Sequence, residues 1–246
     1  MIVRSQKFVR HQVIGNVIDQ ARRLNEWNAD ELVYIDISRE NSYDLGRDDL
    51  RIDSMDNIET IISEIGKICF MPLTFGGGIR TENDAVVRIR SGADKIIVNH
   101  LLHEDNRTLK HIISKLGSQA VVASIDYKMI DNIPVVFKEN GTVQTKSSLF
   151  DFASKMEQIG VGEIFTQNID LDGRASGYDI EVLERIVENV SVPIIACSGA
   201  GKIKHFVEAS KIEKLSAIAA GNYFNFKELS YPLVKTELKI HNIDVR

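Results

Sequence analysis

The chain has 246 residues, of which 43% are hydrophobic and 26% are charged, with only 4 prolines. This composition excludes a disordered or low-complexity chain, and the length is typical of one α/β-barrel domain. The formal net charge of -5 at pH 7 leaves no basic surface for nucleic acid. The charged N-terminus has no apolar signal-peptide core, and no apolar run is long enough to span a bilayer. We therefore expect one domain over residues 1–246, in the cytoplasm, without nucleic-acid or membrane partners.

Short β-branched runs alternate with longer amphipathic runs along the whole chain. The predicted strands are Ile2–Phe8, Leu32–Ile37, Cys69–Phe75, Lys95–Val98, Ala120–Ile125, Glu163–Thr166, Val192–Cys197 and Ser216–Ala219. The predicted helices are Asn57–Ile68, Asn83–Ser91, Asn106–Leu116, Leu149–Ile159, Ile180–Asn189 and Ile203–Ser210. Strands joined by helix-length crossovers indicate a parallel sheet, buried on both faces where the strands are continuously apolar. Counting Ile2–Phe8 as the eighth strand, the pattern favours a closed (β/α)8 TIM barrel over an open sheet.

One stretch departs from this alternation. The sequence NIPVVFKENGTVQT at Asn132–Thr145 has two β-rich runs that flank Asn140 and Gly141. Asn-Gly between such runs is a strong signal for a tight hairpin turn. We predict a β-hairpin inserted after the fifth barrel strand.

The two halves of the chain repeat one motif. PLTFGGGIR begins at Pro72 and PIIACSGAGK begins at Pro193, about half the chain length further on. Each reads as a strand that starts near proline and passes through a glycine-rich turn into a helix. This repeat indicates a half-barrel duplication.

The two repeated turns are candidate phosphate sites. Gly76–Gly78 and Ser198–Gly201 each lie between a strand and a helix. Small residues there expose backbone N–H groups that bind phosphate oxygens well. The alternative is a pair of tight turns that merely need glycine. Two such turns at one barrel mouth suit a substrate with a phosphate at each end.

Carboxylates follow several predicted strands. Asp36, Asp126, Asp170 and Asp172 all come at strand carboxyl ends, where (β/α)8 barrels place catalytic groups. A single aspartate there is often a helix cap or a loop anchor. Asp126 is the strongest catalytic candidate, because it follows an unbroken apolar strand whose burial would tune its acidity.

Three charged residues stand at the opposite ends of strands. Glu31, Lys95 and Glu163 come at the first strand positions, and alternation puts Lys95 on the same face as Ile97 and Asn99. If those faces point inward, the three form a charged ring across the bottom of the barrel. The alternative is three solvated residues at the strand entries.

Six segments together resemble the cyclase subunit of imidazole glycerol phosphate synthase. They are DELVYIDIS (30–38), LTFGGGIR (73–80), SGADKIIVN (91–99), GSQAVVASIDYK (117–128), GEIFTQNIDLDGRASGYD (162–179) and PIIACSGAGK (193–202). The resemblance runs in register from about Phe8 to the C-terminus. The related isomerase of the same pathway shares the fold and both turns, but lacks the motifs that stand here as ASIDYK (123–128) and GYD (177–179).

The resemblance implies an ammonia-dependent cyclisation and cleavage of a bisphosphorylated substrate, with ammonia delivered through the barrel by a glutaminase docked at its bottom. It implies neither a cofactor nor a metal. By motif, Asp126 corresponds to one of the family's two catalytic aspartates. The positions implied for one phosphate are Gly77, Gly78, Asn99, Asp172 and Gly173. Those implied for the other phosphate are Ser198, Gly199 and Ala200, and Gly221 is a further phosphate-binding position. Glu31, Lys95 and Glu163 correspond to an ammonia gate, and Asp94 to an acidic residue that faces the glutaminase.

The chain also departs from the family pattern. Family members open with a strand of the type IPCLDVK that carries the second catalytic aspartate, whereas no aspartate precedes Asp19 here. That first strand is expected to be shortened or missing. Histidine replaces the usual threonine at His100, Cys197-Ser198 replaces Ser-Gly, and AAGNYFNF (219–226) replaces AASVFHF. These changes resemble paralogues that help convert a sugar acetamido group to an acetamidino group.

Three functions remain open at this point. The first is a paralogue in glutamine-dependent amidation of a surface sugar. The second is a genuine histidine-pathway cyclase, and the third is a non-catalytic scaffold that passes ammonia to another enzyme. All three share the fold and the glutaminase partner. They differ in the chemistry at the barrel mouth.

Overall fold

The computed structural model describes residues 1–38, 57–104 and 106–246. Seven parallel strands alternate with helices, as in a (β/α)8 barrel. The strands are β3 (Leu32–Ile35), β4 (Leu73–Gly76), β5 (Lys95–Val98), β6 (Val121–Ile130), β9 (Glu163–Asn168), β10 (Ile194–Cys197) and β11 (Leu215–Ile218). They pair in that order, from β3 through β6 directly to β9 and on to β11. The predicted α/β-barrel class is confirmed.

The helices are α1 (Val17–Glu26), α2 (Ile58–Gly66), α3 (Glu82–Arg90), α4 (Asn106–Leu116), α5 (Leu149–Ile159), α6 (Ile180–Asn189), α7 (Ile203–Ala209) and α8 (Ser230–Ile240). Helix α3 begins with a capping box, in which Thr81 and Asp84 each accept a bond from the other's backbone N–H. Helix α5 ends at Gly160, which adopts the left-handed conformation. Helices α1 and α8 were not predicted. Among the described residues, no helix is long and apolar enough to cross a membrane.

The N-terminal strand prediction is wrong in its placement. Ile2–Gln6 (β1) pairs antiparallel with Arg10–Gly15 (β2) in a separate two-stranded sheet. A short turn at Lys7 and Phe8, both with positive φ, reverses the chain and favours this local hairpin over a place in the barrel. Ile2–Phe8 is therefore not the eighth barrel strand.

The described part of the sheet consequently has two edges, β3 and β11. Ile35 of β3 is 40% exposed, and Ser216 and Ala217 of β11 are also exposed, whereas β6 is buried from Val121 to Tyr127. This contrast places the gap between β3 and β11 at the position of a missing barrel strand.

The bottom of the gap is bridged by side chains. The Asp30 carboxylate, just before β3, accepts hydrogen bonds from Tyr231 Oη at 2.9 Å and from Lys235 Nζ at 2.8 Å. Both donors lie on α8, which follows β11. The helix therefore ties the two sheet edges together although no strand pairs them.

The predicted β-hairpin is confirmed. Ile133–Lys138 (β7) pairs antiparallel with Val143–Ser148 (β8) and also with the extended end of β6. Its turn runs through Glu139, Asn140 and Gly141, all with positive φ, which asparagine and glycine tolerate best.

The strand predicted at Cys69–Phe75 is shorter in the structure. Cys69 N–H still donates to the Ile65 carbonyl at the end of α2, and Phe70 is 85% exposed. Pro72 has no N–H to contribute to a ladder. Pairing therefore begins only at Leu73.

The main core lies between the sheet and the helices. A large cluster packs β5, β6, β9 and β10 against α3–α7, and a smaller one packs β3 and β4 against α1 and α2. Inside the barrel, Ile97, Val122 and Phe165 form a separate apolar cluster. This inner layer divides the barrel interior into a polar mouth and a polar bottom.

Candidate active site

The mouth of the barrel is formed by the carboxyl ends of the parallel strands. Asn99 follows β5, and Ser124 and Asp126 lie on β6. Asn99 Nδ2 donates to the Ser124 carbonyl at 2.9 Å and to Asp126 Oδ2 at 3.1 Å. Alternation along β5 therefore brings Asn99, predicted as a phosphate ligand, beside the predicted catalytic carboxylate.

Asp126 is 6% exposed, and its second oxygen, Oδ1, has no hydrogen-bond partner. Burial raises the pKa of Asp126 to about 7, against the hydrogen bond from Asn99 and with a smaller contribution from the negative charge of Asp172. A carboxyl with that pKa exchanges protons near neutral pH. It suits general acid–base chemistry.

The first glycine turn joins β4 to α3. Gly77 and Gly78 have φ of +92° and +64°. A Cβ on Gly77 would lie 2.0 Å from the Asp36 carbonyl oxygen at the end of β3, so the chain packs too closely for any side chain. Positive φ and close packing both explain why glycine stands here.

The second glycine turn joins β10 to α7. In the order in which the strands pair, β10 is the fourth strand after β4. Ser198 and Gly199 have φ of +85° and +96°. A Cβ on Gly199 would lie 1.9 Å from the Gly177 carbonyl, and Ser198 Oγ is buried without a partner. The neighbouring Ala200 is half-buried at the same turn. The half-barrel repeat therefore places two similar turns on opposite sides of one mouth.

The N-terminal hairpin covers the remaining predicted phosphate residues. Asp172 Oδ2 accepts from Ser5 Oγ at 2.5 Å and from Phe8 N at 3.2 Å, and a Cβ on Gly173 would meet the Ser5 carbonyl at 2.4 Å. Gly221 precedes Asn222, whose amide donates to the Ser5 carbonyl. These residues lie at the mouth, and the hairpin occupies the hydrogen-bonding groups of Asp172.

The other strand-end residues have local roles. Asp36 Oδ1 accepts from the Ser38 backbone N–H, and Asp170 Oδ2 accepts from Met129 N at 3.2 Å. His100 is half-exposed and lies 3.6 Å from Glu104. Each of these contacts holds a loop, as expected for a carboxylate or imidazole at a strand end.

The bottom of the barrel holds the predicted charged ring. Lys95 Nζ lies 2.6 Å from Glu163 Oε1 and 3.2 Å from Glu31 Oε2. Burial lowers the pKa of Lys95, but the two carboxylates outweigh it and the pKa is raised. The solvated alternative is therefore not what the structure has: the three side chains meet.

Asp94 lies beside this ring at the amino end of the sheet. Its carboxylate accepts from the Leu73 backbone N–H at 2.8 Å, and the residue is exposed. The side chain thus binds the first backbone N–H of β4 and is exposed on the bottom face.

A cavity of about 3540 Å³ connects the two polar ends. Its lining includes Asp126 at the mouth, Phe165 in the middle and Glu31 at the bottom, and it opens sideways where Ile35 and Ala217 line the gap between β3 and β11. The volume is large because, among the described residues, no strand fills the space between β3 and β11.

Sequence reasoning missed two polar groups near the mouth, the half-buried Asp179 and the buried Arg88. Asp179 accepts hydrogen bonds from Tyr127 Oη at 3.2 Å and from Asn168 Nδ2 at 2.8 Å, behind the carboxyl ends of β6 and β9. Arg88 of α3 lies under the first turn with 8% exposure. An arginine at a helical position normally indicates a solvated face, so the sequence carries no signal for its burial.

The fold and the site define a class: a (β/α)8-barrel enzyme with paired glycine turns and a buried aspartate at its mouth. A family model described as histidine biosynthesis protein matches residues 1–230. The chain belongs to this family, among the relatives of the cyclase subunit of imidazole glycerol phosphate synthase.

Three full-length relatives illustrate the similarity. The chain is 34% identical to imidazole glycerol phosphate synthase subunit HisF of Saccharolobus solfataricus, over 100% of this chain and 93% of that protein. It is 36% identical to HisF of Clostridium botulinum with the same coverage. It is also 36% identical, over 99% and 93%, to a Pseudomonas aeruginosa chain provisionally named subunit hisF2 of that synthase.

Proposed function

We propose that this chain is the synthase subunit of a glutamine-dependent amidation system. It receives ammonia from a glutaminase and uses it on a phosphorylated acceptor, in the conversion of a surface-sugar acetamido group to an acetamidino group. The observation that carries the proposal is the Lys95 ion pair with Glu163 and Glu31 at the bottom of the barrel, together with the buried Asp126 at the mouth. Ammonia handling is supported at both ends of the barrel.

The ring at the bottom acts as an ammonia gate. Lys95 is 19% exposed as a side chain, and Glu163 is 20% exposed, so their pair is largely withdrawn from water. Above it lies the apolar layer of Ile97, Val122 and Phe165. A neutral ammonia molecule crosses such a layer far more readily than a cation, so movement of Lys95 controls entry.

The glutaminase docks on the bottom face. Asp94 is exposed there, and Phe70, which precedes β4, is 85% exposed. Exposed aromatic residues are typical anchors of protein–protein interfaces, and a rim charge steers the partner. The Asp94→Lys substitution should weaken the complex, as measured by the dissociation constant of the purified subunits.

The acceptor binds at the mouth through the turns at Gly77–Gly78 and Ser198–Ala200. Their positive φ values turn backbone N–H groups toward one concave surface, and the buried Ser198 Oγ has no partner in the protein. Asp126 then acts as the acid–base group beside the reacting atoms. Among the described residues it is the one buried carboxylate.

The second candidate is the histidine-pathway reaction itself, favoured by the full-length similarity to HisF chains. That reaction needs proton transfers at two positions in the family. The barrel strand that would carry the second aspartate does not occur among the described residues. Because acid–base groups contribute about 10²–10⁴-fold each, this chain should not sustain the reaction.

Two measurements test the proposal. With amide-labelled glutamine and the co-purified glutaminase, label should enter the acceptor, and Lys95→Met should lower the glutamine-dependent rate while the ammonium-dependent rate persists. Lys110→Met is the matched control, because Lys110 is an exposed lysine on α4 and takes no part in the gate. A histidine auxotroph should not grow on this gene. Growth that disappears in Asp126→Asn would establish the histidine reaction instead.

A further inference from the structure

Arg88 lies directly beneath the first glycine turn. Its Nη2 donates to the Gly77 carbonyl at 3.4 Å and would lie 3.5 Å from a Cβ on Gly78. The side chain starts in the last turn of α3 and reaches back toward the helix N-terminus, the direction in which helical side chains point. A guanidinium therefore supports the turn from inside the protein.

The positive charge of Arg88 is poorly compensated. The residue is 8% exposed, and its Nε is buried without a hydrogen-bond partner. Its one bond to Gly77 is long. The charge of Asp84, one turn earlier on α3, acts on it electrostatically, but no carboxylate forms a close ion pair with it among residues 1–38, 57–104 and 106–246. A buried charge in this condition destabilises the empty site, because it has lost water and gained little in return.

The N-terminus of α3 does not offer an alternative source of positive potential. The backbone N–H groups of Arg80 and Thr81 both donate to Asp84 Oδ2, at 3.0 and 2.8 Å. The helix end is thus already neutralised by its own capping carboxylate. An anion at Gly77–Gly78 is stabilised by a positive charge from elsewhere, and Arg88 is a buried positive charge that contacts the turn.

We propose that Arg88 is a positioning residue that holds a phosphate dianion at the Gly77–Gly78 turn. It stabilises the anion from beneath the turn and does not contact the reacting atoms. The phosphate in turn supplies the counter-charge that the buried guanidinium lacks. This inference rests on phosphate binding at the first turn in the proposed function. It makes the two turns unequal, because among the described residues Arg88 is the one buried lysine or arginine, and it lies beneath the first turn.

The test is a titration of the full chain with inorganic phosphate, followed by the NMR signals of the Gly78 and Gly199 amides. Arg88→Gln keeps a neutral donor for the Gly77 carbonyl, and Arg88→Lys keeps a charge. Arg90→Gln is the matched control, because Arg90 is exposed two residues further along the same helix and its loss changes the net charge equally.

We expect Arg88→Gln to weaken phosphate at Gly78 by about tenfold or more, while the affinity at Gly199 is unchanged. Arg88→Lys should recover most of the loss, and Arg90→Gln should lose nothing. Without phosphate, Arg88→Gln should have a Tm at least as high as that of the wild type, because the substitution removes a poorly compensated buried charge. Removal of a merely structural arginine would instead lower Tm. In the wild type the Arg88 Nε signal should shift with the same dissociation constant as the Gly78 amide, which needs no variant to fold.

The failures are distinguishable. If phosphate shifts neither turn of the wild type, the phosphate sites of the proposed function are wrong and the role of Arg88 with them. If both turns bind phosphate but Arg88→Gln leaves the Gly78 affinity unchanged, or weakens both turns equally, the role of Arg88 alone is overturned. An Arg88 Nε signal that does not respond while the Gly78 amide does would have the same meaning.

Discussion

At the scale of single residues, the chemistry of the mouth is concentrated on Asp126. Its burial follows from its place on β6, which lies in the middle of the sheet between β5 and β9. The carboxyl accepts one hydrogen bond, from Asn99, where a fully stabilised carboxylate would accept two or three. The unpaired Oδ1 is therefore the atom at which a proton is held or released.

This burial predicts a specific dependence of stability on pH. The folded pKa of about 7 lies above the unfolded value near 3.8, so the folded state binds the proton more tightly. Stability from this group is present below pH 3.8 and is lost as pH rises through about 7. Asp126→Asn should remove this loss, and the variant should gain on the wild type between pH 5 and pH 8 by up to about 3 kcal/mol.

Urea unfolding of both proteins at pH 5 and pH 8 measures the difference. Asp19→Asn is the control, because the Asp19 side chain is 70% exposed and its substitution should give the same offset at both pH values. Parallel behaviour of Asp126→Asn and Asp19→Asn would contradict the burial of an ionisable carboxyl at the mouth.

At the scale of elements, the two βα turns depend on close backbone approach. Gly77 packs on the end of β3, and Gly199 packs on Gly177 of the loop before α6. Each turn is thus fixed by a neighbouring segment rather than by its own sequence. The first is further supported from below by Arg88 of α3, whereas the second has the buried Ser198 hydroxyl.

Gly199→Ala should therefore be strongly destabilising. Its Cβ would lie 1.9 Å from the Gly177 carbonyl, at a φ of +96°, so both contact and conformation oppose the change. We expect a loss of about 2 kcal/mol or more in the free energy of unfolding, measured as a lower Tm. Gly66→Ala, where a Cβ would meet nothing within 4 Å, should leave Tm unchanged or raise it. Equal Tm values for the two variants would show that the turn rearranges freely.

At the scale of the whole molecule, the sheet formed by residues 1–38, 57–104 and 106–246 leaves the edges of β3 and β11 unpaired. The edges β3 and β11 face the gap with exposed residues such as Ile35 and Ala217, and unpaired edges are unfavourable in sheets. Met1 lies near the carboxyl end of β3: burial lowers the pKa of its amino group, and the charge of Asp36 acts against that.

A short apolar extension before Met1 should therefore fill the gap. We expect a β-branched extension of about six residues, a typical strand length, to raise Tm and to slow amide hydrogen exchange in Leu32–Ile35 and Leu215–Ile218. A glycine-serine extension of equal length should do neither, because it buries no apolar surface. If both extensions behave alike, the gap does not accept a strand.

The sequence by itself determined the local elements and the strand-end positions of most candidate site residues. Periodicity located six of the helices. Asp126, Lys95 and the two glycine turns stand at strand ends. Because parallel strands share one carboxyl edge and side chains alternate along strands, the sequence placed each of these residues at the mouth or at the bottom. Local patterns also predicted the hairpin at Asn140-Gly141, since its turn conformation is set by those two residues.

Only the tertiary structure decided how the N-terminal segment pairs, whether the charged ring closes and where Arg88 lies. Ile2–Gln6 has a strand pattern, but pairing partners are chosen by chain reversal at Lys7 and Phe8 and not by propensity. Lys95 reaches Glu163 and Glu31 only because separate strands converge at the bottom of the barrel. The burial of Arg88 depends on the turn above it and the sheet beside it. These contacts lie outside α3, so the sequence pattern of the helix alone does not predict them.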